Sequence, residues 1–191
     1  MNVPLWLKNN YLSMPLIALM ALTRVHHFGD AFSLPDASLA VFFLAGLRFN
    51  KLGLLVFLLL EAAVLDYVAI AHFSVSDYCI SAAYVFLIPT YAVMWFAGRH
   101  CSKHPSLAPT ELAISMGWAT LATTAAFVIS NGSFYLFSGR FAAVSLADYA
   151  TRTMQYYPAY TSAALLYTLV GLAVIKIMLA MPAYLNKHNT I

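Results

Sequence analysis

Six apolar segments, at about 10–25, 36–48, 51–72, 78–98, 110–131 and 158–184, take up most of this chain and leave few folds open to it. A bilayer core about 30 Å thick asks for ~20 apolar residues per helical crossing, and most of the six come near that length. The segment at 36–48 is short, so it is expected to be tilted, partly buried or extended by the loop before it. With 62% hydrophobic and 9% charged residues, the chain falls well below the roughly 25% charge of soluble domains. The expected fold is an all-α integral membrane protein, a single domain over 1–191. A net charge of +3, spread along the chain, does not suggest a nucleic-acid partner. No small-residue cleavage site follows Lys8, so the first helix is expected to be retained.

Charge sets the crossing number. With six spans, Lys8, Arg48, Lys51, Arg99, Lys103 and Lys187 share one side. The other side collects Asp30, Asp36, Asp77 and Asp148 with Arg24, Arg140 and Arg152. The positive-inside rule then predicts six transmembrane helices with both termini cytoplasmic, whereas five spans would scatter the basic residues.

The outer connections carry the unusual sequence. The first reads RVHHFGDAFSLPDAS, with Ser33, Pro35 and Asp36 as helix-start residues. The third, 132–157, opens with the turn signal NGSFY and continues with SLADYATRTMQYY, where Asp148 and Arg152 stand four apart. That pattern predicts a short helix in a lid loop over the outer mouth. Boundary aromatics such as Tyr67, Tyr78, Tyr156 and Tyr160 read mainly as an interfacial belt. Small residues, including Ser81–Ala82–Ala83, permit close packing and leave volume beside Cys79.

Cys79 and Cys101 are the two cysteines, one at each end of the fourth segment. On a helix they lie roughly 33 Å apart, too far to pair. Cys79 is therefore expected as a free thiol near Asp66, His72, Asp77 and Tyr84, in the first turn of the fourth helix with Ser76 as N-cap. The helix dipole there favours the thiolate, a soft metal ligand, and Asp77 opposes it. Asp66, a carboxylate in the outer half of the third helix, reads as functional. Glu61 is expected to pair structurally with Lys176. His26, His27 and His72 map to the outer side and suit a metal or proton role. Arg152 faces an anionic or amide-rich ligand or pairs with Asp148. His100, Cys101 and His104 read as part of a lipid-facing loop rather than a zinc site. Phosphate loops, GxSxG and HExxH are absent from the sequence.

The stretch HHFGDAFSLPDASLAVFFLAG, with Asp66, Cys79 and Tyr84 at their spacing and Arg152 much later, is similar to the BtuM family of cobalamin transporters. That family resembles the S-components of energy-coupling-factor importers in Gram-negative inner membranes. The resemblance implies an S-component-like bundle that takes up cobalamin through a site open to the periplasm. It implies Cys79 as axial ligand to the corrin cobalt, with His27, Asp66, Tyr84 and Arg152 lining or organising the pocket. Cobalamin is then the transported ligand and the lipid bilayer the setting, with no separate cofactor. Cys79-dependent removal of cyanide from cyanocobalamin is a further expectation. The first helix has Ala18 and Ala21, three apart, where many S-components carry Ala-x-x-x-Ala for docking a coupling subunit. This favours a solitary transporter. Two alternatives stand beside it: a transition-metal ion permease, and a haem or quinone membrane oxidoreductase.

Overall fold

The computed structural model describes residues 13–24, 34–49, 51–73, 76–102 and 108–188, excluding the side chains of Cys79 and of 178–188. Seven α-helices are present among them. These are α1 (Ser13–Arg24), α2 (Ser38–Phe49), α3 (Leu52–Phe73), α4 (Leu87–Cys101), α5 (Pro109–Phe137), α6 (Leu146–Met154) and α7 (Tyr157–His188). Two 3-10 turns, Asp77–Cys79 and Ala82–Phe86, lead into α4. Leu52–Phe73, Pro109–Phe137 and Tyr157–Ile177 are long and apolar enough to cross a membrane. The chain thus has the character of a helical membrane protein. On α3, Val56, Phe57, Leu60 and Val64 stand exposed, an apolar stripe suited to lipid.

The short α2 is the centre of the bundle. Every residue from Ser38 to Gly46 is buried, against α4 above all and also α1, α3 and α7. It starts where Asp36 Oδ1 accepts the Ser38 backbone N–H at 2.9 Å, an N-terminal cap. Phe42 stacks on Tyr91 of α4 with centroids 4.4 Å apart. One turn on, a Cβ at Gly46 would collide with the Trp95 backbone, and one at Gly98 with the backbone of Phe43 and Leu47. Glycine at both positions lets the two helix backbones touch.

Local chemistry explains the other ends. Pro109 opens α5, where its missing N–H costs nothing, and Glu111 faces the helix's positive end. Ser145 caps α6 by accepting the Asp148 N–H at 3.1 Å. Gly139, at φ +73°, follows the last turn of α5 in the left-handed conformation glycine tolerates.

Three expectations need correction. NGSFY does not turn the chain: α5 runs through it to Phe137, helped by Asn131 Nδ2 donating to its own Phe127 carbonyl. The segment from 78 is not one helix, because Ile80 and Ser81 are extended and α4 begins only at Leu87. Ser76 does cap, but it caps a 3-10 turn, so the dipole argument for a Cys79 thiolate does not apply. Lys176 is exposed, and no ion pair joins it to Glu61 among the described residues. The short helix expected after NGSFY is found as α6.

The glycine contact yields a test. Gly98→Ala should lose about 2 kcal/mol or more, the usual cost of overpacking a tight contact. Gly117→Ala, with nothing within 4 Å of the new methyl, should be neutral or stabilising. Denaturation in detergent micelles measures both.

Candidate functional site around Arg24

Arg24 ends α1 with only 4% of its side chain exposed. A cation so placed needs partners, and it has them on three other helices. Nε donates to Asp66 Oδ1 and Nη2 to Asp66 Oδ2, both at 2.7 Å, a bidentate pair with α3. Nη1 donates to Tyr91 Oη of α4 at 2.6 Å and to Ser38 Oγ of α2 at 2.9 Å. It also lies 3.5 Å from Asp36 Oδ2. Ser38 Oγ passes the connection on, donating to Asp36 Oδ1 at 2.6 Å. Tyr84 completes the group, its hydroxyl donating to Asp66 Oδ2 at 2.7 Å.

This cluster forms one wall of a cavity of about 790 Å³. Phe127, Asn131 and Phe134 of α5, Tyr156 of the turn before α7 and Tyr160 of α7 line other walls, and Ser76, Tyr78 and Ile80 border it before α4. Phe127 is wedged edge-on between Tyr157 and Tyr160, and Thr124 and Tyr157 share a 2.7 Å hydrogen bond, so α5 and α7 hold this wall together. The result is an apolar and aromatic chamber with its charge gathered on one side, the usual build of a site for an amphipathic organic molecule. Its volume falls within the roughly 300–1,000 Å³ common for such sites.

Asp66 and Tyr84 therefore come together in the cavity wall. The backbone of Cys79 lies in the bordering segment, between the lining residues Tyr78 and Ile80. Arg152 is exposed on α6 and does not line the cavity, and no ion pair joins it to Asp148 among the described residues. Asp148 instead accepts from Ser145 at 2.7 Å. His26 and His27 lie outside the described residues, and His72 is exposed near the end of α3. His100 packs on Trp118 at 4.6 Å, and Cys101 is buried. Among the described residues no group of three or more His, Cys, Asp and Glu is placed to hold a metal ion.

The α6 helix docks on the C-terminal part of α5. Tyr149 Oη donates to the Asn131 carbonyl at 3.0 Å, and Tyr135 Oη to that of Val144 at 2.8 Å. Burial among these rings pushes the Tyr149 phenol above its ordinary range, so it stays a donor. The lining comes from residues on either side of α6, Asn131, Phe134 and Tyr156, and not from the expected lid helix α6 itself.

Sequence reasoning missed Arg24, Asp36 and Tyr91 as site residues. A signal was present: an arginine closing an apolar helix, twelve residues before an aspartate, has to find acids in the bundle. No protein-family model matches this chain, and no curated protein matches its sequence.

Breaking the pair from one side should be costly. Arg24→Met leaves Asp66 unpaired, and a loss of about 3–5 kcal/mol is expected. The double variant Arg24→Met/Asp66→Leu should recover most of that loss in the same unfolding assay. A double variant as unstable as the single would argue against the ion pair.

Proposed function

We propose that this protein binds cobalamin at the outer face of a bacterial inner membrane and carries it across. In this reading the chain crosses six times, both termini are cytoplasmic and the cavity opens to the periplasm. The observation that carries it is the chamber of about 790 Å³, whose border includes the segment bearing Cys79. Its aromatic walls suit a broad macrocycle, and the polar cluster on one side suits the amides around a corrin ring. Cobalamin is larger than most ligands of cavities this size, so the ring enters and the remainder occupies the mouth near α6. The resemblance of the first-loop motif and of Asp66, Cys79 and Tyr84 to cobalamin transporters supports the same ligand.

In the proposed mechanism the Cys79 thiol gives up its proton and the thiolate donates an electron pair to cobalt. On cyanocobalamin this weakens the opposite bond. Cyanide leaves with the Co–C electron pair and takes up a proton, and cobalt keeps its oxidation state. Tyr84 offers an oxygen to ligand amides. His27 and Arg152 are proposed to approach the ligand from the outer side.

Protein purified from cobalamin-supplied cells should be coloured, with a corrin absorption spectrum. Cys79→Ala should alter the spectrum of bound cobalamin and abolish cyanide release, and Cys101→Ala should do neither. Colourless protein that also fails to bind added cobalamin would sink the reading. Bound metal without corrin in elemental analysis would point to an ion permease, and a Soret band to a haem protein.

A further inference from the structure

We infer that Arg24 is a positioning residue: through Asp66 it fixes the Tyr84 hydroxyl, and so holds the 77–86 segment, with Cys79 on it, at the cavity. The inference deepens the proposed function and rests on that reading for its importance to ligand binding.

The 77–86 segment has little to hold it in place by itself. Ser76 and Ser81 cap two short 3-10 turns, joined by the extended residues Ile80 and Ser81. Backbone with so few internal bonds takes its position from its neighbours. One neighbour is the outer end of α5. Tyr78 meets Phe134 at 5.7 Å, Phe86 stacks on Phe137 at 4.9 Å, and the Arg140 guanidinium sits 4.2 Å from the Tyr78 ring centroid. Ring contacts of this kind favour offset or edge-on geometries but fix no single donor to a single acceptor.

The other neighbour is α3, and there the link is directional: Tyr84 Oη donates to Asp66 Oδ2 at 2.7 Å. A smaller cavity of about 310 Å³ runs along the same seam, lined by Ala63, Tyr67 and Asp77 among others. Asp66 and Ile70 of α3, with Ile80 and Tyr84 of the segment, line both cavities and form the partition between them. With space on either side of this partition, the hydrogen bond from Tyr84 to Asp66 is its directional link between the segment and α3.

That bond is only as fixed as the carboxylate receiving it. Arg24 grips both Asp66 oxygens in a planar fork, and Ser38 and Tyr91 grip Arg24 in turn. Constraint therefore runs from the rigid α2–α4 pair, through Arg24 and Asp66, to Tyr84 and the segment ahead of α4. Each Asp66 oxygen receives a guanidinium N–H and Oδ2 also receives the Tyr84 hydroxyl, which makes Asp66 the link between Arg24 and Tyr84. A lysine at position 24 keeps the charge but loses the fork.

The test reads the reactivity of Cys79 in the full-length protein without ligand, in a Cys101→Ser background. Tyr84→Phe and Arg24→Lys should each raise its alkylation by a soluble maleimide about tenfold, the scale set by losing one charge-assisted hydrogen bond. The double variant should react no faster than the faster single, because both changes cut the same chain of contacts. Asp66→Asn keeps an oxygen for Tyr84 but cannot accept both guanidinium bonds, and should show the same rise. Thermal stability is followed in parallel, since a purely structural Arg24 would lower it without moving Cys79 reactivity. A wild-type rate in Arg24→Lys, or a double variant with the product of the two accelerations, overturns the inference. If Arg24→Lys is not recovered folded, a wild-type rate in Asp66→Asn overturns it instead. Cobalamin titration of the unmutated protein is the separate check on function. Its failure removes the proposed ligand, while the alkylation series still decides the role of Arg24.

Discussion

A guanidinium with 4% exposure at the end of α1 is the constraint around which the cavity end of this protein is arranged. Left unpaired there, the charge would be untenable, so α2, α3 and α4 each present it an acceptor: Ser38, Asp66 and Tyr91. The arrangement also fixes how far each helix can slide. Asp66 has to sit level with the end of α1, and Tyr91 with the start of α2. Hydrophobic burial would tolerate a shift of a turn, because one leucine serves much like another. A bidentate pair at 2.7 Å would not.

The glycine contacts complement this polar fastening. Gly46 and Gly98 bring the α2 and α4 backbones together at the end of α2 away from Ser38, while Arg24 ties the two helices at the other end. A helix pinned at both ends and buried all round need not match the bilayer. This explains how an apolar segment of 12 residues can hold the central place in a membrane bundle. Its length is set by the helices around it and not by lipid.

Much of this was readable in the sequence, and the remainder was lost for definite reasons. The apolar segments stood out because lipid-facing helices are apolar all round, as α3 shows with its exposed Val56, Phe57 and Leu60. The same uniformity hides which face of a helix looks inward. Depth along a helix suggested that Glu61 and Lys176 would meet, yet Lys176 is exposed. Asp66 stood out as a costly acid, but its partner lies 42 residues earlier, across a loop whose course local pattern does not give. The interrupted approach to α4 was also hidden. Apolar residues at 80–87 suit a helix, but Ser81 is extended as the N-cap of the turn that follows, its side chain accepting the Ala83 N–H, and α4 starts only after that turn.

The two sides of the cavity thus differ in kind. Around Arg24 the wall is made of regular helices locked by charge and by glycine contacts. The border bearing Cys79 is two short turns held by rings on one side and a single phenol on the other. Regular helix satisfies its own backbone and is hard to move, whereas a capped 3-10 turn has few bonds to break. In the proposed reading, a chamber that admits a ligand and releases it elsewhere uses one wall of each sort. The fixed wall sets the geometry of recognition, and the irregular one can yield without unpairing the buried charge. The backbone of Cys79 belongs to the irregular wall, and Asp66 is where the two walls meet.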